Sequence, residues 1–197
     1  MDCLTESFFL QDVTKAAHDL LGKRLVRMVN GERLSGIILE TEAYRGEDDL
    51  ACHAHHGRTN RNAVMYGLPG RAYVYFTYGM HWCLNAVCGA EGYPAAVLIR
   101  AIQPEEGIEF IAQRRTGVQP KNWCSGPARL CKALEIDGGL NGVNLTDPQS
   151  PLFIENGLPV EEDKIRTSAR IGIQYAPEPW RSQPWRYLAV LAESAGQ

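Results

Sequence analysis

The sequence predicts one α+β domain around a mainly antiparallel β-sheet. Strand-like segments outnumber helix-like ones, the clearest connection is a hairpin, and no repeat, linker or low-complexity segment divides the chain. Strands joined by hairpins pair antiparallel, and helices then pack against the resulting sheet. A chain of 197 residues can bury roughly 70% of its unfolded surface in one core. We therefore expect residues 1–197 to form a single domain.

The first predicted elements are a short helix and a hairpin. Residues 14–21 are expected to be helical, with Thr14 as the cap and Gly22 as the stop. The segments on either side of Asn30-Gly31 are expected to pair, because this dipeptide suits a type I′ turn. The remaining elements are expected as strands over 72–78, 81–87, 95–101, 151–155, 169–175 and 185–190, and as helices over 104–115 and 125–135.

Composition and cysteine usage exclude secreted disulfide scaffolds and membrane proteins. The chain is 45% hydrophobic and 22% charged, and its six cysteines contain no CxxC pair. The N-terminus lacks the basic start and apolar core of a signal peptide, and no apolar run approaches the ~18 residues of a membrane span. We expect reduced thiols and an intracellular location, in the cytoplasm and nucleoid or in a nucleus.

Charge is distributed unevenly along a chain whose net charge is −3. Residues 50–90 contain no Asp or Glu but include Arg58, Arg61 and Arg71. In residues 100–132 the Arg and Lys side chains again outnumber the acidic ones. A weakly acidic protein with such a basic face can bind a phosphate backbone. Chance clustering on a solvated surface explains the same pattern equally well.

One predicted strand carries two carboxylates. Period-2 alternation places Ile38, Glu40, Glu42 and Tyr44 on one face, and places residues 37, 39, 41 and 43 on a core face. In a partly desolvated cleft, Glu42 beside Tyr44 can act as a general base towards water. The alternative is an ordinary exposed strand face that carries two glutamates.

A second strand is rich in aromatic residues. Alternation groups Tyr73, Tyr75 and Thr77 on one face, and it leaves Tyr78 where the strand turns back into the next one. An aromatic side chain at a hairpin tip can wedge between base steps of DNA. Aromatic side chains on the strand can stack on a flat base. Tyrosines that simply favour strands are the alternative.

The CHAHH segment consists of residue types that bind zinc. Cys52, His53, His55 and His56 are all possible ligands, but their spacing fits no familiar zinc pattern and no second cluster completes four ligands. A metal hydrolase built on this segment is a minor alternative, and we expect no metal and no cofactor. No nucleophilic lysine stands at a recognisable site, which disfavours a covalent imine mechanism.

Seven segments together resemble the alkyladenine, or 3-methyladenine, DNA glycosylases, and they occur in that family's order between about residues 36 and 187. They are ETEAY (40–44), ACH (51–53), GRTNRNAVMYG (57–67), YVYFTYGMHWCLN (73–85), VLIRA (97–101), CSGPARLCKAL (124–134) and ARIGI (169–173). Departures are few: the family commonly has proline where this chain has Asn60, and often a basic or aromatic residue near His55 and His56.

The resemblance implies a monofunctional hydrolase that acts as a monomer on double-stranded DNA. It would flip an alkylated or deaminated purine out of the duplex, hydrolyse its N-glycosidic bond without lyase activity, and leave an abasic site. The substrates implied are 3-methyladenine, 7-methylguanine, hypoxanthine and ethenoadenine. The implied fold is a curved antiparallel sheet with surrounding helices and a protruding β-hairpin that enters the DNA. A module that binds damaged nucleic acid without cutting it is the alternative.

The resemblance also implies roles for individual residues. Glu42 would activate the water, and Arg100 and the backbone carbonyl of Ile171 would help to hold it. Tyr44 and His53 would stack on one face of the flipped base, with Tyr75 on the other.

Further roles implied by the resemblance concern DNA contacts and selectivity. Tyr78, with Met80 beside it, would enter the duplex. Asn85 and Leu98 would shape the pocket, and Asn85 would disfavour the exocyclic amine of ordinary guanine. Candidate phosphate contacts are Arg58, Arg61, Ser125, Gly126, Arg129 and Lys132.

Overall fold

Eight antiparallel strands form one sheet in the structure, a computed structural model that describes residues 2–190. The strands are β1 Arg24–Val29, β2 Glu32–Arg45, β3 Ala72–Thr77, β4 His81–Cys88, β5 Ala95–Glu106, β6 Leu152–Glu155, β7 Ile165–Ser168 and β8 Arg186–Ala189. Their order is β3-β4-β5-β2-β1-β6, with β8 paired to the far half of β2 and β7 paired to β8. The predicted fold class, an α+β domain on a curved antiparallel sheet, is confirmed.

Four short helices accompany the sheet: α1 Glu6–Phe9, α2 Val13–Asp19, α3 Ile108–Arg114 and α4 Pro127–Ala133. Buried apolar residues of all four join the main core, where α2 packs on β2 and β5 while α4 packs on β4 and β5. No helix within residues 2–190 combines the length and the apolar character needed to cross a membrane.

The first hairpin forms as predicted. Asn30 and Gly31 have φ of 52° and 85°, and β1 and β2 pair on either side of them, from Val29 opposite Glu32 onwards. Both central residues of a type I′ turn need positive φ, which Asn and Gly adopt at low cost. The turn thereby fixes the register that runs along β2 towards its two glutamates.

Strict alternation along β2 was wrong at one point. Ile38 and Ala43 lie in the same core cluster, although a strict period of two places them on opposite faces. The pairing with β5 shifts register between Ile38 and Glu40 and again between Glu40 and Thr41, so Leu39 has no partner on β5. A bulge of this kind reverses the facing of the residues on one side of it. Ile38 therefore faces the core rather than sharing a face with Glu42.

Several predicted helix boundaries were also wrong. Helix α2 begins at Val13, and its cap is Asp12, whose carboxylate accepts the Thr14 N–H at 2.8 Å. Helix α3 begins at Ile108 rather than at 104, because residues 104–106 continue β5. Helix α4 spans Pro127–Ala133 within the predicted 125–135, with Gly126 as its cap residue.

The strand predicted over residues 169–175 does not exist. The strand in this part of the chain is β7, which ends at Ser168, and the following residues form bends and turns. The prediction over 185–190 is confirmed by β8. The predicted domain of residues 1–197 includes Met1 and 191–197, which lie outside the described residues.

All six cysteines are free thiols. Cys52, Cys83, Cys88, Cys124 and Cys131 are buried, whereas Cys3 is half-buried. Burial raises the pKa of every one of these thiols, to about 12 for Cys52 and Cys124.

Candidate active site

A cavity of ≈ 450 Å³ opens between the β3–β4 hairpin and the segment that follows β7. Its size falls in the usual range for small-molecule sites, about 300–1,000 Å³. The lining combines aromatic rings with polar groups that come from distant parts of the chain: Tyr44, Ala51, Cys52, His53, Arg61, Met65, Tyr73, Tyr75, Thr77, Tyr78, Cys83, Asn85, Ala96, Leu98, Arg100, Pro127, Ile171, Gly172, Ile173 and Tyr175.

Glu42 is fully buried beside this cavity, with a side chain that is 0% exposed. Its Oε1 accepts the Ile171 N–H at 2.7 Å, and its Oε2 accepts the Tyr44 hydroxyl at 2.9 Å. The Arg100 Nη1 lies 3.3 Å from the same Oε2. Burial raises the pKa of Glu42, while the Arg100 charge and the two hydrogen bonds oppose that rise. A buried carboxylate with a raised pKa is well suited to accept a proton.

Arg100 is held by a second carboxylate. Its Nε donates to the Glu40 Oε1 at 2.6 Å, and the Arg186 Nε donates to the same oxygen at 2.7 Å. Period-2 alternation in the sequence places Glu40 on the same strand face as Glu42 and gives it no role, whereas the structure places it at the centre of this network. The network fixes the Arg100 guanidinium, so that Nη1 can face Glu42.

Aromatic side chains form the walls of the cavity, and their grouping on β3 agrees with the predicted alternation. Tyr73, Tyr75 and Thr77 all line it, and the His53 Nδ1 lies 3.0 Å from the Tyr73 hydroxyl. The rings of His53 and Tyr75 meet edge to face, with centroids 4.5 Å apart and planes at 73°. Because these rings are in contact, a base stacked between them requires one of them to turn.

Tyr78 and Met80 occupy the tip of the β3–β4 hairpin. Tyr78 is 83% exposed and Met80 is 67% exposed. Tyr78 and Gly79 have φ of 52° and 67°, and the Met80 N–H donates to the Thr77 carbonyl at 3.1 Å, which describes a type I′ turn. The turn projects a large apolar ring into solvent at the edge of the cavity.

Asn85 and Leu98 face each other across β4 and β5 at the base of the cavity. Both are buried, and the Asn85 Nδ2 donates to the Tyr73 carbonyl at 3.0 Å. This bond fixes the orientation of the Asn85 amide. The structure therefore brings together the predicted base, its arginine and the predicted pocket residues.

The CHAHH segment does not converge on a common point. The Cys52 thiol is buried and contacts the Pro94 carbonyl, and the His55 Nδ1 lies 2.7 Å from the Cys52 carbonyl. His56 packs on the ring of His55. No group of three or more His, Cys, Asp or Glu side chains within residues 2–190 is arranged to hold a metal ion.

His53 itself is exposed at the cavity. Desolvation by the surrounding walls, together with the charge of Arg61, lowers the pKa of His53 to about 4. The imidazole is therefore neutral at physiological pH, so it adds no positive charge to the cavity.

Comparison with known proteins identifies the family. The methylpurine-DNA glycosylase family model matches residues 7–192 of this chain. The chain belongs to that family. Relatives that share the printed name "Putative 3-methyladenine DNA glycosylase" include one from Carboxydothermus hydrogenoformans, 51% identical over 86% of this chain and 88% of the relative. A Methanocella arvoryzae relative is 46% identical over 95% and 92%, and one from Chlamydia felis is 46% identical over 97% and 98%.

The residues predicted as phosphate contacts lie in different environments in the structure. Arg129 and Lys132 are exposed on α4, but the Arg129 Nη1 donates to the Ser125 carbonyl. The Gly126 N–H is engaged by the Arg100 carbonyl at 2.9 Å. Arg58 packs over the Tyr66 ring, at 5.8 Å from its centroid.

Arg61 belongs to the cavity rather than to a separate phosphate-binding surface. Its Nη2 donates to the Phe76 carbonyl at 3.0 Å, and its guanidinium lies 5.3 Å from the Tyr75 centroid.

Sequence reasoning missed two parts of this glycosylase-family site. One is the buried ion pair of Asp49 and Arg170, in which two hydrogen bonds join side chains 121 residues apart. The other is Tyr175, an exposed ring at the cavity whose hydroxyl donates to the Ala51 carbonyl at 3.2 Å. The cluster of three acids at 47–49 was visible in the sequence, but nothing local indicates which of them is buried.

Proposed function

We propose that this protein is a monofunctional DNA glycosylase that removes alkylated or deaminated purines from double-stranded DNA. It acts as a monomer, flips the damaged nucleotide into the ≈ 450 Å³ cavity, and leaves an abasic site. Membership of the methylpurine-DNA glycosylase family supports this activity. The observation that carries the mechanism is the buried Glu42 carboxylate beside Arg100 at a cavity walled by aromatic rings.

The proposed reaction needs one general base. Glu42 accepts a proton from water while the water oxygen forms a bond to C1′ of the deoxyribose. The C1′–N9 bond breaks, and its electron pair leaves with the purine. A cationic alkylpurine thereby becomes a neutral base, whereas hypoxanthine leaves as an anion that takes a proton from solvent. The sugar carries developing positive charge in such a transition state, so an ionised carboxylate nearby also stabilises it. Arg100 keeps Glu42 ionised and oriented, and the Ile171 carbonyl is proposed to help hold the water.

The aromatic walls supply the proposed selectivity. Electron-rich faces such as those of Tyr44 and Tyr75 favour a positively charged alkylpurine over a neutral base by about 0.5–2 kcal/mol for each contact. A neutral His53 adds no charge repulsion of its own towards such a cation. Damaged pairs also cost less to unstack, so selection begins before the base enters the cavity. The proposed lesion set is 3-methyladenine, 7-methylguanine, hypoxanthine and ethenoadenine.

The proposed DNA contacts lie around the cavity mouth. Tyr78, with Met80 beside it, enters the duplex from the hairpin tip and fills the space that the flipped nucleotide leaves. Asn85 is proposed to disfavour the exocyclic amine of guanine. Phosphate contacts are proposed for Arg58, Ser125, Arg129 and Lys132. They are not proposed for Gly126, whose N–H is bonded to the Arg100 carbonyl, or for Arg61, which lines the cavity.

The test is a duplex with a single hypoxanthine, incubated with excess protein and then cleaved at abasic sites with alkali. We expect strand cleavage only after alkali, and a rate that falls by about 10²–10⁴-fold in Glu42→Gln. Glu47→Gln is the matched control, since Glu47 is an exposed carboxylate of the neighbouring loop. Equal rates for Glu42→Gln and wild type would refute Glu42 as the base. Tight binding with no product would instead favour the non-catalytic binding module.

A further inference from the structure

Asp49 and Arg170 form an ion pair that is entirely removed from solvent. Both side chains are 0% exposed, and the Arg170 Nη1 and Nη2 donate to the two Asp49 carboxylate oxygens at 2.5 and 2.9 Å. Desolvation makes such a pair a poor source of stability compared with apolar residues of similar size. A contribution to folding stability is therefore a poor explanation for the presence of this pair.

The pair joins three separate pieces of the site. Asp49 also accepts the backbone N–H groups of Arg45 at 3.1 Å and Ala51 at 3.0 Å, which ties it to the end of β2. Arg170 donates to the Ala43 carbonyl at 2.9 Å. Its guanidinium lies 4.7 Å from the centroid of the Tyr44 ring, which places it in cation–π contact with a cavity wall.

The residue after Arg170 contacts the predicted base directly. The Ile171 N–H donates to the Glu42 Oε1 at 2.7 Å, although residues 169–175 belong to no helix or strand. Without a ladder of backbone hydrogen bonds, the position of this N–H depends on how the neighbouring side chain is anchored. Arg170 is that anchor.

We propose that Asp49 and Arg170 are positioning residues, a buried clamp that holds the Ile171 N–H on Glu42 and the Tyr44 ring at the cavity wall. The clamp rests on the proposed function, because its effect is on the ionisation and orientation of the catalytic carboxylate. Glu42 is also faced by Arg100 on β5, by Glu40 and Tyr44 on β2, and by Cys83 on β4. The clamp acts alongside these groups and touches no substrate.

The test compares single-turnover rates against pH for wild type, Asp49→Asn and Arg170→Lys on the hypoxanthine duplex. If the clamp holds, both variants lose the hydrogen bond from the Ile171 N–H to the Glu42 carboxylate. We therefore expect the rate at neutral pH to fall on the order of tenfold. We expect the acid midpoint of the profile to rise by about one pH unit in both. If the two side chains acted only through their charges, Asp49→Asn would lower the midpoint. Arg170→Lys keeps the positive charge and would then leave the midpoint unchanged.

Glu155→Gln is the control for general damage to a buried ion pair. Glu155 is buried on β6 and bonds Arg33 and Arg24, far along the sheet from the cavity. Its loss should lower thermal stability and leave the acid midpoint unchanged. Midpoints that stay fixed or fall in folded Asp49→Asn and Arg170→Lys overturn the clamp.

A measurement on wild type needs no variant to fold. The Ile171 amide should exchange with deuterium as slowly as the amides in the centre of β2, although its segment is irregular. Rapid exchange of this amide overturns the clamp. Wild-type cleavage of the hypoxanthine duplex in the same assay separates the two ideas: if no base is released, the proposed function fails, whatever the exchange shows.

Discussion

Glu42 sits between opposing influences on its charge. Its burial favours the protonated form, whereas Arg100, the Ile171 N–H and the Tyr44 hydroxyl favour the ionised form. Burial is the largest of these effects, so the pKa is raised. A general base must be ionised to act, and a raised pKa makes it a stronger base once it is ionised. Compared with an ordinary glutamate, Glu42 is therefore less ionised at low pH, but it binds a proton more strongly once it is ionised.

This balance predicts where activity fails at low pH. Because Glu42 works only when ionised, the rate should fall as pH drops through its raised folded-state pKa, above the ordinary glutamate value of about 4.3. Single-turnover rates on a hypoxanthine duplex between pH 4 and 8 give the midpoint. An acid limb at or below the ordinary value would show that burial does not dominate.

A neighbouring residue should move that midpoint in the opposite direction. Glu40 repels charge on Glu42 and also holds Arg100, so Glu40→Gln should lower the pKa of Glu42. We expect the acid midpoint to shift to lower pH. Glu106→Gln is the control, because Glu106 pairs with Arg33 at the other end of β5. An upward shift in Glu40→Gln would indicate that holding Arg100 matters more than the repulsion.

At the scale of single residues, alternation along β2 singles out the Glu42 carboxylate but not its partners, and Arg100 and Ile171 are named only through the family resemblance. Alternation alone places Glu42 beside Tyr44, since both lie beyond the bulge at Leu39. The partners of Glu42 come from β5 and from residue 171, and the buried salt bridge spans 121 residues. No local pattern encodes such pairings. The resemblance to a family supplies roles for several residues, but it says nothing of Asp49 and Arg170.

The two well-defined hairpins differ in the residue at the start of the turn. Asn30 and Tyr78 both have φ of 52°, and each precedes a glycine with positive φ. Asn tolerates this conformation, whereas a bulky residue in it costs about 1–2 kcal/mol. The β3–β4 hairpin therefore keeps a strained tyrosine where asparagine would fit better, which is consistent with a functional use for the ring.

Exchanging these residues tests that interpretation. Tyr78→Asn should relieve the strain and raise the melting temperature by about 2 °C, while it weakens binding to a duplex with an abasic site. The reciprocal variant Asn30→Tyr should lower the melting temperature and leave that binding unchanged. Calorimetry and fluorescence anisotropy measure the two quantities. Wild-type affinity in Tyr78→Asn would exclude the ring from the DNA interface.

At the scale of elements, the errors of prediction have tertiary causes. Residues 104–106 are predicted as a helix start, but Glu105 and Glu106 extend β5, where they bond Arg24 on β1 and Arg33 on β2. Residues 169–175 alternate like a strand. Their backbone instead contacts a carboxylate, and the Arg170 side chain is drawn inward by Asp49. Charged partners from elsewhere in the chain override the local pattern in both places.

At the scale of the whole molecule, the central strand β2 assembles the site. It pairs with β5 along one edge, and along the other edge with β1 near its start and β8 further on. Glu40 and Glu42 lie where β5 and β8 both flank it, which brings Arg100 and Arg186 to the same place. The sequence predicts an antiparallel sheet, but the branching of β2 between β1 and β8 is visible only in the fold.

The burial of the cysteines gives a prediction for the whole molecule. Thiolates, not thiols, react with electrophiles, and a raised pKa keeps the thiolate fraction small at neutral pH. Iodoacetamide should modify at most the half-buried Cys3 of the native protein, and the five buried thiols only after unfolding. Mass spectrometry counts the adducts. Rapid native labelling of Cys52 or Cys83 would contradict the packing around the cavity.

The burial of these thiols also protects the protein under the conditions in which the proposed activity is needed. The reagents that methylate purine nitrogens are electrophiles, and sulfur is a better nucleophile than those nitrogens once it is deprotonated. An enzyme called upon during chemical attack on DNA is exposed to the same attack. By burying five of its six cysteine thiols and keeping them protonated, the fold makes the repair protein a poor target for the reagents whose damage it is proposed to remove.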